Sequence, residues 1–230
     1  MLLRREPDCA TVAGMTTAAP TLGVFVQSHE ARAPVLDGLR ASLEASDVGL
    51  DYRVMLHPSG LTVAEHFLGV LGAMRDSDAD LVLRLEDDAL VNRHLRHNLT
   101  TWPAVHRPDF GAGWAMSPPL SIHDIIFQKR CDNPVRRKRL IPICVAVMFW
   151  RRDMDWIIAG SEKWFRERGG NAMDFALSAA VHDAAKLNYL HDPCIAEHRM
   201  QVPSTLRHTI KSHDTSRGIY REQWRRTVAL

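Results

Sequence analysis

The chain has 230 residues, 46% hydrophobic and 24% charged, which is enough for one globular domain with a full core and does not demand a second. No apolar run approaches the roughly 18 residues that span a bilayer. The start, Met1-Leu2-Leu3-Arg4-Arg5-Glu6-Pro7, lacks the apolar stretch of a secretory signal, so no membrane span and a cytoplasmic setting are expected. The net charge of +2 is unevenly spread: residues 1–124 carry 10 Lys+Arg against 16 Asp+Glu, and residues 125–230 carry 19 against 11. The two halves therefore present opposite fields, as a phosphate-bearing ligand with a divalent ion would need. Solvated basic helices and a basic tail are the plainer account of the same imbalance. The four cysteines, Cys9, Cys131, Cys144 and Cys194, form no CxxC pair, which excludes zinc-ribbon and thioredoxin-like chemistry and fits a reduced compartment.

Residues 1–20 are small and polar, and read as a flexible tail before a single domain over 21–230; Met15 is an alternative start. Thr21–Gln27 reads as a buried strand, rich in β-branched and aromatic residues. A polar turn over 28–33 follows, with Pro34 suited to the first turn of a helix that runs to about Ser46. Tyr52–Leu56 is a second strand. Thr62 with Glu65 three residues on forms a capping box for a helix that ends near Arg75. Leu81–Leu85 is a third strand, and Leu90–Trp102 a further helix. Gly111–Ser117 reads as a short strand. Pro118–Leu140 is a long basic excursion containing Lys129-Arg130 and Arg136-Arg137-Lys138-Arg139. Ile141–Trp150 is the most apolar run and reads as a central strand. Helical stretches are expected from Asp153 to Arg168 and over Met173–Ala185, with a short strand at Leu187–Leu190. The alternation of strands and helices predicts an α/β domain with a mostly parallel central sheet and helices on both faces. The first strand-to-helix turn carries no GxGxxG, so a dinucleotide fingerprint is absent.

The third strand ends in three consecutive carboxylates, Glu86-Asp87-Asp88. Side by side at a buried strand end they repel strongly, and a bound cation relieves that repulsion. Hard carboxylate oxygens suit Mg²⁺ or Mn²⁺, and ligands in open α/β sheets bind outside the carboxyl ends of the strands. The alternative is a solvated acidic turn with Asp88 capping the next helix.

Gln27, Ser28 and Arg32 follow the first strand; Glu86-Asp87-Asp88 end the third; Asp174 opens a helix after Gly169-Gly170-Asn171; and Pro193-Cys194-Ile195-Ala196-Glu197-His198 comes last, with Ser204-Thr205 beyond it. This succession, over about residues 21 to 216, resembles the GT-A class of nucleotide-sugar-dependent glycosyltransferases. The Glu-Asp-Asp resembles the DxD-type metal motif of that class, and the late histidine resembles one that completes metal or diphosphate binding. The resemblance implies a GT-A-like single domain and a nucleotide-sugar donor with Mn²⁺ or Mg²⁺ as cofactor. It implies Asp88 and His198 as metal ligands, and Gln27, Ser28, Arg32, Glu86 and Asp87 as the donor-binding set. It implies Asp174 as the base of an inverting transfer. Read alone, His198 is equally a surface histidine, Asp174 a capping-region aspartate, and Arg32 a surface arginine ahead of a helix. A carboxylate at a helix N-terminus is held ionised, which lowers its basicity. His208, Lys211, His213 and Arg217, in a basic segment over about 199–230, suit a lid over a diphosphate or a plain basic tail.

Two other classes share features with this one. A divalent-metal nucleotidyltransferase or phosphohydrolase would also use Glu86–Asp88, but no P-loop lysine motif is present. A nucleic-acid-binding protein would use the basic stretch over 129–139, and a glycosyltransferase acting on modified DNA would need both features. The acceptor is unidentified, and a polyanion such as DNA is one class it could belong to.

Overall fold

The computed structural model describes residues 18–58, 60–115, 145–170, 172–191 and 194–198. Residues 1–17 of the tail with its alternative start at Met15, the excursion over 118–140, residues 141–144 of the apolar run over 141–150, and the segment with Ser204, Thr205, His208, Lys211, His213 and Arg217 lie outside the described residues.

In chain order the elements begin with β1 (Leu22–His29), a 3-10 turn (Glu30–Arg32), α1 (Ala33–Glu44), β2 (Arg53–His57), α2 (Val63–Arg75) and β3 (Leu81–Glu86). There follow β4 (Ala89–Val91), α3 (Leu95–Thr100), β5 (Phe110–Trp114), β6 (Ala146–Trp150), α4 (Met154–Arg168), α5 (Met173–Asp183), β7 (Leu187–Leu190) and β8 (Ala196–His198).

Each early helix forms for a local reason. In α1, Leu36, Leu39 and Leu43 recur at helical spacing and are buried, and a proline stands in the first turn. In α2 the capping box is complete: Thr62 Oγ1 accepts from the Glu65 N–H at 3.2 Å, and Glu65 Oε2 accepts from the Thr62 N–H at 2.7 Å. Phe67, Val70, Leu71 and Met74 are the buried stripe of α2.

The main sheet has the order β2-β1-β3-β6-β5-β7. β1 pairs in parallel with β2 and β3, and β5 in parallel with β7, while β6 runs antiparallel to both of its neighbours. The sheet is therefore mostly parallel, with one reversed strand at its centre. From β1 the chain steps outward to β2, then returns past β1 to β3. Because such crossovers are right-handed, this reversal puts α1 and α2 on opposite faces. It also makes the gap between the carboxyl ends of β1 and β3 a topological switch point. α4 packs on α2 and α5. A Cβ on Gly160 would lie 2.6 Å from the Cβ of Ala180, so only glycine allows the observed approach of α4 to α5.

Three expectations are corrected. The helix expected from Leu90 begins only at Leu95, because Ala89–Val91 instead pairs antiparallel with Ala196–His198 as a two-stranded sheet. Asp88 thus precedes a strand and caps no helix. The polar turn expected from Ser28 starts later: β1 continues through His29, in register with β2 as far as His57. Ser28 is a strand residue, buried at the switch point.

Candidate functional site

The site forms where β1, β2, β3, β5 and β7 end and where β6 and α5 begin. β3 delivers its acidic residues to two sides by strand alternation. Arg84 and Glu86 share one face with Gln27, their neighbour on β1. Asp87 projects to the other face, toward the turn that leads into α1.

On the α1 side, four sequence-predicted residues meet. The Ser28 hydroxyl donates to Asp87 Oδ2 at 2.8 Å, and Arg32 Nε donates to Asp87 Oδ1 at 2.8 Å. Arg32 Nη2 lies 2.8 Å from Asp87 Oδ1 and 2.7 Å from Asp88 Oδ2. All four side chains are buried: Arg32 is 8% exposed, Asp87 4% and Asp88 7%. Burial works against the Arg32 charge, but its contacts with Asp87 and Asp88 outweigh that and raise its pKa, so the guanidinium stays charged. This arginine is not the exposed side chain that its position ahead of a helix allows.

On the other face, Arg84 is fully buried. Its Nε donates to Gln27 Oε1 at 2.6 Å, its Nη2 lies 3.1 Å from Glu86 Oε1, and its guanidinium carbon sits 5.2 Å from the Phe67 ring centroid. The Nη2 also reaches the Met173 sulfur at 3.6 Å, and the Gln27 amide reaches that sulfur at 3.7 Å. Met173 is the first residue of α5, so these contacts tie the start of that helix to the end of β3. Asp174 follows it. Burial raises the pKa of Asp174. The N–H groups of Phe175 and of Asp174 itself, together with the Arg84 charge, offset that only in part. The helix-terminal position was expected to lower the basicity of this carboxylate; desolvation wins and makes it more basic.

Behind Gln27 stands a histidine cluster. His66 lies 3.2 Å from the Met55 carbonyl through Nε2, so that nitrogen donates, and its Nδ1 accepts from the Gln27 amide at 3.3 Å. His66 stacks on His57 at 4.7 Å, and His57 meets His29 edge-on at 5.0 Å. Burial, with the nearby His57, lowers the His66 pKa to about 4, so it is neutral at pH 7. Arg84, His66 and Met173 are the site residues that sequence reasoning missed. A charged residue inside an apolar strand was the one available signal, at Arg84.

β8 brings the late histidine into the neighbourhood through the backbone: His198 is registered opposite Ala89, the residue after Asp88. The Ile195 and Ala196 N–H groups both donate to the Ala115 carbonyl at the end of β5. Among the described residues, no group of three His, Cys, Asp and Glu side chains is arranged to hold a metal ion. Carboxylate oxygens, the donor type a hard divalent ion takes, are present at the end of β3. Two buried carboxylates converge there, and a guanidinium already supplies positive charge to both.

No protein-family model matches the chain, and no curated protein matches it significantly. Solved structures do share its fold. S. aureus TarS (residues 1–349) superposes with a TM-score of 0.54 at 11% identity, over 78% of this chain and 60% of that one. The galactosyltransferase LgtC, solved with donor and acceptor sugar analogs, gives 0.51 at 12% identity, over 89% of this chain and 95% of that one. A mannosyltransferase from Pyrobaculum calidifontis, in complex with GDP-Man and Mn²⁺, gives 0.50 at 15% identity, over 92% of this chain and 64% of that one. The chain thus spans less than two thirds of the TarS and mannosyltransferase chains. Among the described residues, no helix is long and apolar enough to cross a membrane. At these identities the likeness is one of fold, and the chain has a GT-A-like glycosyltransferase fold.

Proposed function

We propose that the chain is a glycosyltransferase that moves a sugar from a nucleoside-diphosphate sugar to an acceptor hydroxyl. The observation that carries this reading is the meeting, at the switch point of a GT-A-like sheet, of the acidic end of β3 with the start of α5 that bears Asp174. Arg84 joins the two through Glu86: it pairs with that carboxylate and reaches Met173.

In this reading, residues 21–230 act as one catalytic domain. Ser28, Arg32 and Asp87 line the diphosphate end of the donor, while Gln27 and Glu86 orient the ribose or sugar. Asp88 and His198 would hold a divalent ion, Mn²⁺ or Mg²⁺, which when bound offsets the charge that gathers on the leaving diphosphate. Oxygen donors suit either ion, and an imidazole favours Mn²⁺. Asp174 accepts the proton of the attacking acceptor hydroxyl, and its raised pKa strengthens it as a base. A base on the acceptor side goes with inversion at the anomeric carbon. Arg84 stays charged at any working pH, so it stays paired with Glu86 and keeps the site's polar groups in one arrangement.

The test is calorimetry of nucleoside diphosphates with and without Mn²⁺, on the parent chain and on Asp88→Ala. Metal-dependent binding that the substitution removes supports the reading. Binding that ignores both Mn²⁺ and the substitution removes Asp88 from the metal role.

A further inference from the structure

The contacts of Arg32 are unequal. Asp87 is fully committed to the protein: Oδ2 takes the Ser28 hydroxyl and Oδ1 takes both Nε and Nη2 of Arg32. Asp88 is reached by Nη2 through its Oδ2. One edge of the guanidinium is therefore held at two points by an anchored carboxylate, and its tip is shared with the second carboxylate.

We propose that Arg32 is an exchangeable cation. In the free chain it neutralises Asp87 and Asp88 together; when a nucleoside diphosphate and a divalent ion bind, Nη2 leaves Asp88 for the diphosphate while Nε stays on Asp87. This inference rests on the proposed donor site and its metal, and adds to them a coupling between the two ligands.

The physical grounds are charge and reach. Asp87, Asp88 and Arg32 together carry a net charge of −1. A divalent ion at Asp88 beside the guanidinium would place two cations on one buried carboxylate, where low dielectric makes their repulsion large. A diphosphate relieves it, because its oxygens can accept from Nη2 and balance the ion together. Arginine suits this exchange: its planar fork serves a carboxylate and a phosphate with the same geometry, and it cannot escape by losing a proton. The metal alone should therefore bind weakly, the diphosphate alone should bind weakly, and each should strengthen the other by the same factor.

The experiment titrates Mn²⁺ by calorimetry into the full chain, with and without saturating UDP, GDP, CDP or dTDP. It is run on the parent and on Arg32→Met and Arg32→Lys, with circular dichroism confirming the fold of each. The parent is expected to bind Mn²⁺ at least about tenfold tighter with its preferred diphosphate than without it. Arg32→Met is expected to bind Mn²⁺ alone about tenfold tighter than the parent, with the coupling factor falling toward one. Arg32→Lys keeps the charge without the fork and should fall between them, and it carries the test if Arg32→Met does not fold. Equal Mn²⁺ affinity in parent and variants, with the coupling retained in all, overturns the exchange while leaving the metal reading standing; no coupling in the parent overturns both. No Mn²⁺ binding to any of them overturns the metal reading and the exchange with it.

Discussion

Arg84 and Glu86 lie two residues apart on one face of β3, with Arg84 Nη2 3.1 Å from Glu86 Oε1. The arginine is sealed from solvent, while the glutamate side chain is 25% exposed. The pair therefore runs from the core to the site, and it divides the acidic end of β3: Glu86 belongs to Arg84, and Asp87 and Asp88 to Arg32.

Removing the inner partner should be costly. Arg84→Met removes the donor that Arg84 gives to Gln27 Oε1 and to Glu86 Oε1, and breaking a buried ion pair from one side typically costs about 3–5 kcal/mol. Because Glu86 is partly solvated, the lower end is expected, about 3 kcal/mol in urea denaturation. A loss under about 1 kcal/mol would show that the network is not holding the fold.

Asp174 gives a prediction in two directions. Asp174→Asn should lower turnover by about 10²–10⁴-fold with donor binding retained. Its folded pKa is raised, so the carboxyl favours folding while protonated, and that contribution fades as pH rises through the folded pKa. The asparagine variant should then be more stable than the parent at pH 7, and no more stable near pH 3. The acid limb of the parent's kcat/KM profile should sit above the ordinary aspartate value of about 4. Thermal unfolding at the two pH values and a pH–rate profile check both claims.

His66 predicts the opposite pH dependence. Its folded pKa is depressed to about 4, so the unfolded chain binds a proton that the folded chain refuses. The stability it contributes is present above its ordinary range and drains away as pH falls toward 4. His66→Gln should flatten the stability profile over that interval; an unchanged slope would assign the loss to other groups.

The helix contact at Gly160 is steric. A methyl group there would meet Ala180 Cβ at 2.6 Å and Ala180 Cα at 2.8 Å, so Gly160→Ala must push α4 and α5 apart. Overpacking of this kind costs about 1–3 kcal/mol. Because α5 bears Asp174, activity should fall together with the unfolding midpoint.

The first half of the fold was legible because its signals are local. The stripe Leu36, Leu39, Leu43, the Thr62–Glu65 box and the apolar run into Glu86 each declare an element within a few residues. β4 was not legible, since three residues become a strand only by pairing with residues 196–198, far along the chain. Leu90 and Val91 fit a helical pattern as well as a strand until that partner is known. The acidic site was readable as a cluster, and its succession resembled a known class. Its division was not readable, because the partners of Arg84 come from β1, α2 and α5, and the fork of Arg32 depends on how the turn before α1 folds back. The raised pKa of Asp174 was likewise out of reach, as burial is a tertiary quantity and overrode the helix-terminal effect.

The central claim is that this site breaks a sugar–diphosphate bond. The most direct measurement is release of nucleoside diphosphate from a panel of nucleotide-sugars, including GDP-mannose and UDP-galactose, with Mn²⁺ and without acceptor. The account predicts slow hydrolysis of one or a few of them by the parent chain, abolished by Asp88→Ala and by chelation. No release from any nucleotide-sugar, alongside pyrophosphate release from nucleoside triphosphates at the same site, would contradict it.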